Sequence, residues 1–265
     1  MLRSALELRG YRIDAKDGHV GKASDLFFDD TRWRVRYLVV DTRAWLPGRH
    51  VLISPISLGR PDWTQHLFPV ELTKEQIENS PDVESDRPVS RQFEHDIVDY
   101  FDWPIYWTPE TTAAGPLSGG TPPPLPARPA GSERAADLPK EPASDPHLRS
   151  MREVSGYHIQ APDGEIGHVA DFIIDDETWA IRYLVIETRN WLPGRRVILA
   201  PDWFDRVDWH ARTVHTEHSR DAIKDAPAYN PAQPINRDYE GHLYDYYGRP
   251  GYWTEMAATS MNWKM

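Results

Sequence analysis

Three histidines close together in the chain, His210, His215 and His218, are the first residues whose type and spacing could do chemistry. Neutral imidazoles are good ligands for zinc or nickel, which makes the three candidate metal ligands. Solvent-facing histidines are the plainer reading, and on one strand His215 and His218 would point to opposite faces. A second constellation is acidic and occurs twice, as Asp25, Asp29, Asp30 and as Asp171, Asp175, Asp176. A hard cation needs several converging oxygens, but neither run has the glycine-bearing loop and terminal glutamate of a calcium site. The paired aspartates therefore read as turn residues that bond their own backbone. Arg36 and Arg182 stand near Asp41 and Glu187, with Arg43 and Arg189 following. These are surface ion pairs worth ~1 kcal/mol or less each, or else a docking surface. Trp45 with Arg49, and Trp191 with Arg195, flank a Pro-Gly turn. Tryptophan and arginine are both enriched where proteins bind one another; the competing reading has each tryptophan covering one end of its own domain. No nucleophile elbow, phosphate-cradling glycine loop, dinucleotide fingerprint or zincin helix is present. With no cysteine in the chain, disulfides, a thiol nucleophile and thiolate-bound metals are excluded. No catalytic residue and no cofactor are expected.

The elements that must position these residues come in two copies. Gly10-Tyr11 recurs as Gly156-Tyr157, an offset of 146. At the same offset Asp17-Gly18 matches Asp163-Gly164, Arg36-Tyr37-Leu38-Val39 matches Arg182-Tyr183-Leu184-Val185, and the Trp-Leu-Pro-Gly-Arg run at 45–49 matches that at 191–195. The register persists to Arg91/Arg237, Tyr100/Tyr246 and Trp107/Trp253. Such internal similarity marks two homologous units, with boundaries at 1–107 and 148–256 and a short tail at 257–265. Between them, residues 108–147 hold ten of the 24 prolines beside Gly, Ser and Ala. A segment so poor in large apolar side chains cannot offset its ordering entropy, and its proline runs favour an extended, semi-rigid spacer. The formal net charge of the 265 residues is −11, with 14 basic against 19 acidic residues through Glu110 and 13 against 18 from Leu148 onward. Two acidic halves argue against nucleic acid as a partner. No run has the length of a membrane helix, and the start lacks a basic-then-apolar signal pattern, so a cytoplasmic protein is expected.

Within each repeat the hydrophobic period is two. Tyr11 to Asp14 alternates, Asp17-Gly18 reads as a tight turn, and a strand follows over 20–28. The next, Trp33 to Val40, is rich in β-branched and aromatic residues. On it Trp33, Val35, Tyr37 and Val39 share one face, while the other begins with Arg34 and Arg36 and ends with Leu38 and Val40. A strand covered first on one side and then on both suggests a curled sheet with something packed over part of its outside. Short strands over 51–53 and 67–72 complete a small sandwich or barrel, of which a barrel has no exposed edges. Two helices then follow, one capped by Thr73 with Gln76 in a capping box, the other capped by Ser90 with Phe93, Ile97 and Phe101 inward. An aromatic tail ends each repeat at Trp107 and Trp253.

The order G-Y-x-I, D-G-x-x-G-x-x-x-D, W-x-V/I-R-Y-L-V, then the WLPGR turn and a strand ending at Ser54-Pro55 or Ala200-Pro201, resembles the PRC-barrel domain. The later P-V/I-x-R and P-x-Y-W segments resemble bacterial proteins that carry this domain in tandem. The family is a small β-barrel found in the H subunit of purple-bacterial photosynthetic reaction centres and in the C-terminal half of a ribosome-maturation factor. The resemblance implies a mainly β fold of two small antiparallel barrels, each followed by short helices, and a docking module rather than an enzyme. The partner would be a protein, and the apolar surplus at Leu38, Val40, Leu184 and Ile186 suggests that the barrels pair within the chain or between copies. Trp45, Arg49, Trp191, Arg195, Trp107 and Trp253 are the other candidate interaction residues. Two alternatives stand beside this: a metal- or small-ligand-binding protein with its site between the barrels, and a peripheral assembly factor of a membrane complex like the reaction centre.

Overall fold

The computed structural model describes residues 1–42, 46, 49–81, 89–107, 147–188 and 194–254. Trp45, Trp191, Arg43, Arg189, the tail at 257–265 and the proline-rich stretch except His147 lie outside the described residues.

The fold is mainly β, with two sheets and few helices. The first repeat runs β1 (Leu2–Ser4), α1 (Ala5–Leu8), β2 (Arg12–Ala15), β3 (Gly18–Asp29), β4 (Arg34–Asp41), β5 (His50–Ile53), β6 (Leu67–Pro69), α2 (Lys74–Glu78) and α3 (Arg91–Phe101). The second runs β7 (Leu148–Ser150), α4 (Met151–Val154), β8 (His158–Ala161), β9 (Gly164–Asp175), β10 (Ile181–Glu187), β11 (Arg196–Leu199), β12 (Phe204–Asp208), β13 (Thr213–Thr216), α5 (Arg220–Asp225) and α6 (Arg237–Tyr246). One sheet has the order β5-β4-β3-β2-β6, with β7 on β3; the other has β11-β10-β9-β8-β13-β12, with β1 on β9. The β2–β6 and β8–β13 pairs are parallel. Among the described residues no β5–β6 or β11–β12 pairing closes either sheet on itself.

The chain divides into two compact units whose limits do not follow the repeat. Unit 1 holds Met1, Arg3–Val154 and Ile174–Ile181; unit 2 holds Leu2, Ser155–Ile173 and Arg182–Met265. Unit 1 thus contains two pieces of the second repeat, including all of β7 and α4.

In unit 1, β3 is the backbone of the sheet. Its first residues pair β2 and most of its length pairs β4, with register shifts between Ala23 and Asp25 and between Phe27 and Phe28. Such bulges bend a strand and increase its twist, which is how one strand of this length serves three partners. On β4, Val35 is buried, Arg36 is half-buried, and Tyr37 through Val40 are all buried, as expected of a strand covered on both sides at its end. Trp33 departs from the expected face. The Asp29 carboxylate accepts from the N–H groups of Thr31 and Arg32, and the turn so formed leaves Trp33 left-handed at φ 49, before the strand begins. Its counterpart Trp179 has φ 59.

The short helices are fixed by side chains named in the same repeat. Thr73 and Gln76 form a capping box at α2, and the Asp17 carboxylate of the Asp-Gly turn accepts from Lys74 N–H at 2.8 Å. In unit 2 Asp163 accepts from Arg220 N–H at 2.9 Å. The α3 N-cap is Ser90, with Ile97 and Phe101 buried beneath it and Phe93 half-buried.

Candidate functional site

A buried polar cluster in each repeat surrounds a glutamate that no sequence motif singles out. Helix α3 places Arg91 and Glu94 three residues apart, so both lie on one helix face. Glu94 is 1% exposed. Arg91 Nη1 donates to Glu94 Oε2 at 2.7 Å and to the Tyr106 hydroxyl at 3.3 Å, while the Tyr106 hydroxyl donates to Glu94 Oε1. Tyr37, fully buried on β4, has its phenol pushed well up by burial and then by Glu94. The Arg36 guanidinium lies 3.9 Å from the centre of the Tyr106 ring, and that of Arg91 lies 4.6 Å from Trp107. Burial is the main force on the Glu94 carboxyl and raises it to about 7, against the pull of Arg91 and Tyr106.

Unit 2 builds the same cluster from the equivalent residues. Asn236 caps α6 by accepting from Tyr239 N–H. Glu240, 3% exposed, pairs with Arg237 at 3.1 Å and accepts from the hydroxyls of Tyr183 at 2.7 Å and Tyr252 at 2.9 Å. Arg182 lies 4.0 Å from the Tyr252 ring centre and Arg237 4.1 Å from that of Trp253. Cation–π contacts of this kind contribute about 0.5–2 kcal/mol each. A carboxyl poised near neutrality is suited to proton transfer, but here each carboxylate is engaged by the tyrosines and arginine of its own repeat. The cluster fastens α3 and α6 to the central strands β4 and β10. The signal for it was present in the sequence: Tyr37, Arg91, Glu94 and Tyr106 all recur unchanged at the offset of 146.

The aspartates divide by role. Asp29 is the turn-former, buried, and bonded to Arg36 at 3.1 Å; burial acts to raise its carboxyl, but Arg36 and two N–H groups outweigh it and hold the group below its usual range. Asp175 makes the matching turn with Glu177 N–H and the Thr178 hydroxyl. Asp25 and Asp30 instead hold residues of the second repeat inside unit 1. Asp25 accepts from the Ser150 hydroxyl and from Arg152 N–H at 3.1 Å, and burial raises its carboxyl despite those bonds. Asp30 accepts from Arg149 Nε at 2.8 Å.

The remaining candidates scatter. Arg49 donates to the carbonyls of Glu78 and Ser80, and Arg195 donates to that of Ala226; both guanidiniums cap the C-terminal end of a short helix, where a cation is favoured. Leu38, Val40, Leu184 and Ile186 are all fully buried. Trp107 and Trp253 lie against arginines of their own helices, as described above. His210 is exposed and His215 is half-buried on β13. His218, beyond that strand, lies tilted against the Tyr247 ring at 4.5 Å and meets the Trp203 ring edge-on at 6.1 Å, and burial lowers its pKa. Among the described residues no group of three or more His, Asp or Glu side chains is placed to hold a metal ion.

No protein-family model matches the chain, and no curated protein matches it. Among the described residues no helix is long and apolar enough to cross a membrane.

Proposed function

We propose that this chain is a non-enzymatic docking protein built from two PRC-barrel-like repeats joined by a proline-rich spacer over 108–147. The observation that carries the reading is the closure of the duplicated cluster. Among the described residues, Glu94 and Glu240 are the most deeply buried carboxylates of their repeats, and each is bonded to two or more side chains of its own repeat. A group arranged in this way serves the scaffold, which leaves the surface as the functional part. The strand order shared by both repeats, with the same parallel pair at β2–β6 and β8–β13, supports reading each as a small barrel.

Among the described residues, Tyr100 and Tyr246 hold equivalent positions and are the large hydrophobic residues exposed in both repeats, at 41% and 39%. Each hydroxyl donates to a carbonyl of the preceding short helix, Gln76 at 2.9 Å and Ala222 at 2.7 Å. A ring pinned in this way loses little entropy on binding, as suits an interface anchor. Trp45 and Trp191, which lie outside the described residues, remain candidate interaction residues. Crosslinking in cells, followed by identification of what is captured, tests the reading. A specific protein partner is expected for the native chain and its loss for the Tyr100→Ala/Tyr246→Ala double variant. Capture that is absent, or unchanged in a folded double variant, counts against it.

A further inference from the structure

Each repeat opens on the same short phrase, Leu2-Arg3-Ser4-Ala5-Leu6-Glu7-Leu8 in the first and Leu148-Arg149-Ser150-Met151-Arg152-Glu153-Val154 in the second. In unit 1 the second phrase runs antiparallel along β3, with Ser150 opposite Phe27, Arg149 opposite Phe28 and Leu148 opposite Asp29. Asp30 grips it twice: its N–H donates to the His147 carbonyl at 3.0 Å, and its carboxylate accepts from Arg149 Nε at 2.8 Å. Asp25 takes the Ser150 hydroxyl and Arg152 N–H, and Ser150 in turn caps the following helix by accepting from Glu153 N–H at 3.0 Å.

The first phrase is held by the same rules. Asp176 N–H donates to the Met1 carbonyl at 2.9 Å, and the Asp176 carboxylate accepts from Arg3 Nε at 3.4 Å. Strand β1 pairs β9, and Ser4 accepts from Glu7 N–H at 3.2 Å. Arg3 and Asp176 stand exactly one repeat offset from Arg149 and Asp30, so donor and receiver match position by position. The phrase that fits one aspartate therefore fits the other.

We infer that the β3 edge, with Asp25 and Asp30, is a strand-receiving site that a second copy of this chain can fill with its own Met1–Leu8 segment. Recognition has two parts: main-chain hydrogen bonds of an added strand, and the Arg3 and Ser4 side chains matched to Asp30 and Asp25. The inference stands on strand register and charge pairing alone and does not depend on the docking function. In the isolated chain residues 148–154 occupy the site, and their covalent tether gives them an effective concentration of about a millimolar. The incoming segment has to leave β9 and Asp176 of its own chain, and that exchange is favoured once residues 148–154 are weakened, because a vacant site leaves the buried Asp25 carboxylate without the Ser150 and Arg152 bonds.

The test uses the full chain and a fluorescent peptide of residues 1–10, read by anisotropy. Arg149→Ala/Ser150→Ala is expected to bind the peptide at least about tenfold more tightly than the native chain, and an Arg3→Glu peptide at least about tenfold more weakly than the native peptide. Should the double variant not fold, Arg149→Lys alone supports the same comparison, with circular dichroism reporting the fold. The same variant is expected to self-associate with rising concentration in sedimentation velocity. A folded variant that binds the peptide no better than the native chain, binds the Arg3→Glu peptide equally well, or stays monomeric at all concentrations overturns the inference.

Discussion

Glu94 sits where an ionised carboxylate costs most, on the inward face of α3 with Tyr37 and Tyr106 around it and Arg91 alongside. Its carboxyl is raised from 4.5 to about 7, chiefly by burial. Between those values the folded chain keeps a proton that the unfolded chain has released, so stability falls as pH rises through the window. The stabilisation is complete below about pH 4.5 and gone above about pH 7, a loss of about 3 kcal/mol for a shift of this size. Glu94→Gln keeps the shape and removes the titration. Denaturant midpoints measured from pH 4.5 to 8 are expected to fall for the native chain and to fall distinctly less for the variant. Parallel curves for the two proteins would exclude this role for the carboxyl.

At the scale of elements, Gly21 and Gly167 fix how closely the strands approach. A Cβ on Gly21 would lie 2.1 Å from the Asp41 carbonyl oxygen, and one on Gly167 would lie 2.1 Å from that of Glu187. Neither neighbour is the flexible end of a side chain, so the ladder itself must shift. Gly21→Ala and Gly167→Ala are each expected to destabilise by about 1–3 kcal/mol or more, while Gly10→Ala, with nothing within 4 Å but φ 85, meets only backbone strain. Urea unfolding of the three variants ranks them. Much at this scale was legible in the sequence. The Thr73–Gln76 box, the Ser90 cap and the two-sided burial at the end of β4 all follow from local patterns of capping and period; the tight turn centres on Lys16-Asp17, one residue before the Asp17-Gly18 expected, with Gly18 already paired to Ala15. Trp33 was misplaced because a strand pattern does not register the Asx turn that ends in a left-handed residue. Glu94 and Glu240 were missed because a charged residue on a short helix reads as solvated, although their recurrence with Arg91 and Arg237 could have flagged them. Asp30 reads as a turn residue and Asp25 as no more than a member of the acidic constellation, since their partners Arg149 and Ser150 lie more than a hundred positions away and no local pattern reaches that far.

At the scale of the whole chain, sequence repeat and folding unit are different objects. The repeats end at 107 and begin again at 148, yet unit 1 includes residues 148–154 and 174–181. Those segments supply the strand on β3, the partners of Asp25 and Asp30, and Trp179, which is buried and lies 6.2 Å from Phe68. The backbone is shared as well: Val35 N–H donates to the Trp179 carbonyl at 2.8 Å and Ile181 N–H to the Trp33 carbonyl at 2.7 Å. A fragment of residues 1–110 keeps a complete repeat in sequence but loses each of these. It would present an unpaired strand edge, an uncompensated buried aspartate and newly bared Phe68, features that favour aggregation or loose packing. The fragment is expected to lack a cooperative thermal transition and to bind a hydrophobic dye, whereas the full chain unfolds cooperatively. Adding a fragment of residues 147–265 in excess is expected to restore the transition, because the missing segments need not be covalently joined to act. A fragment that melts cooperatively as a dye-free monomer by itself would mean that the repeat, and not the unit that borrows from both repeats, is what folds.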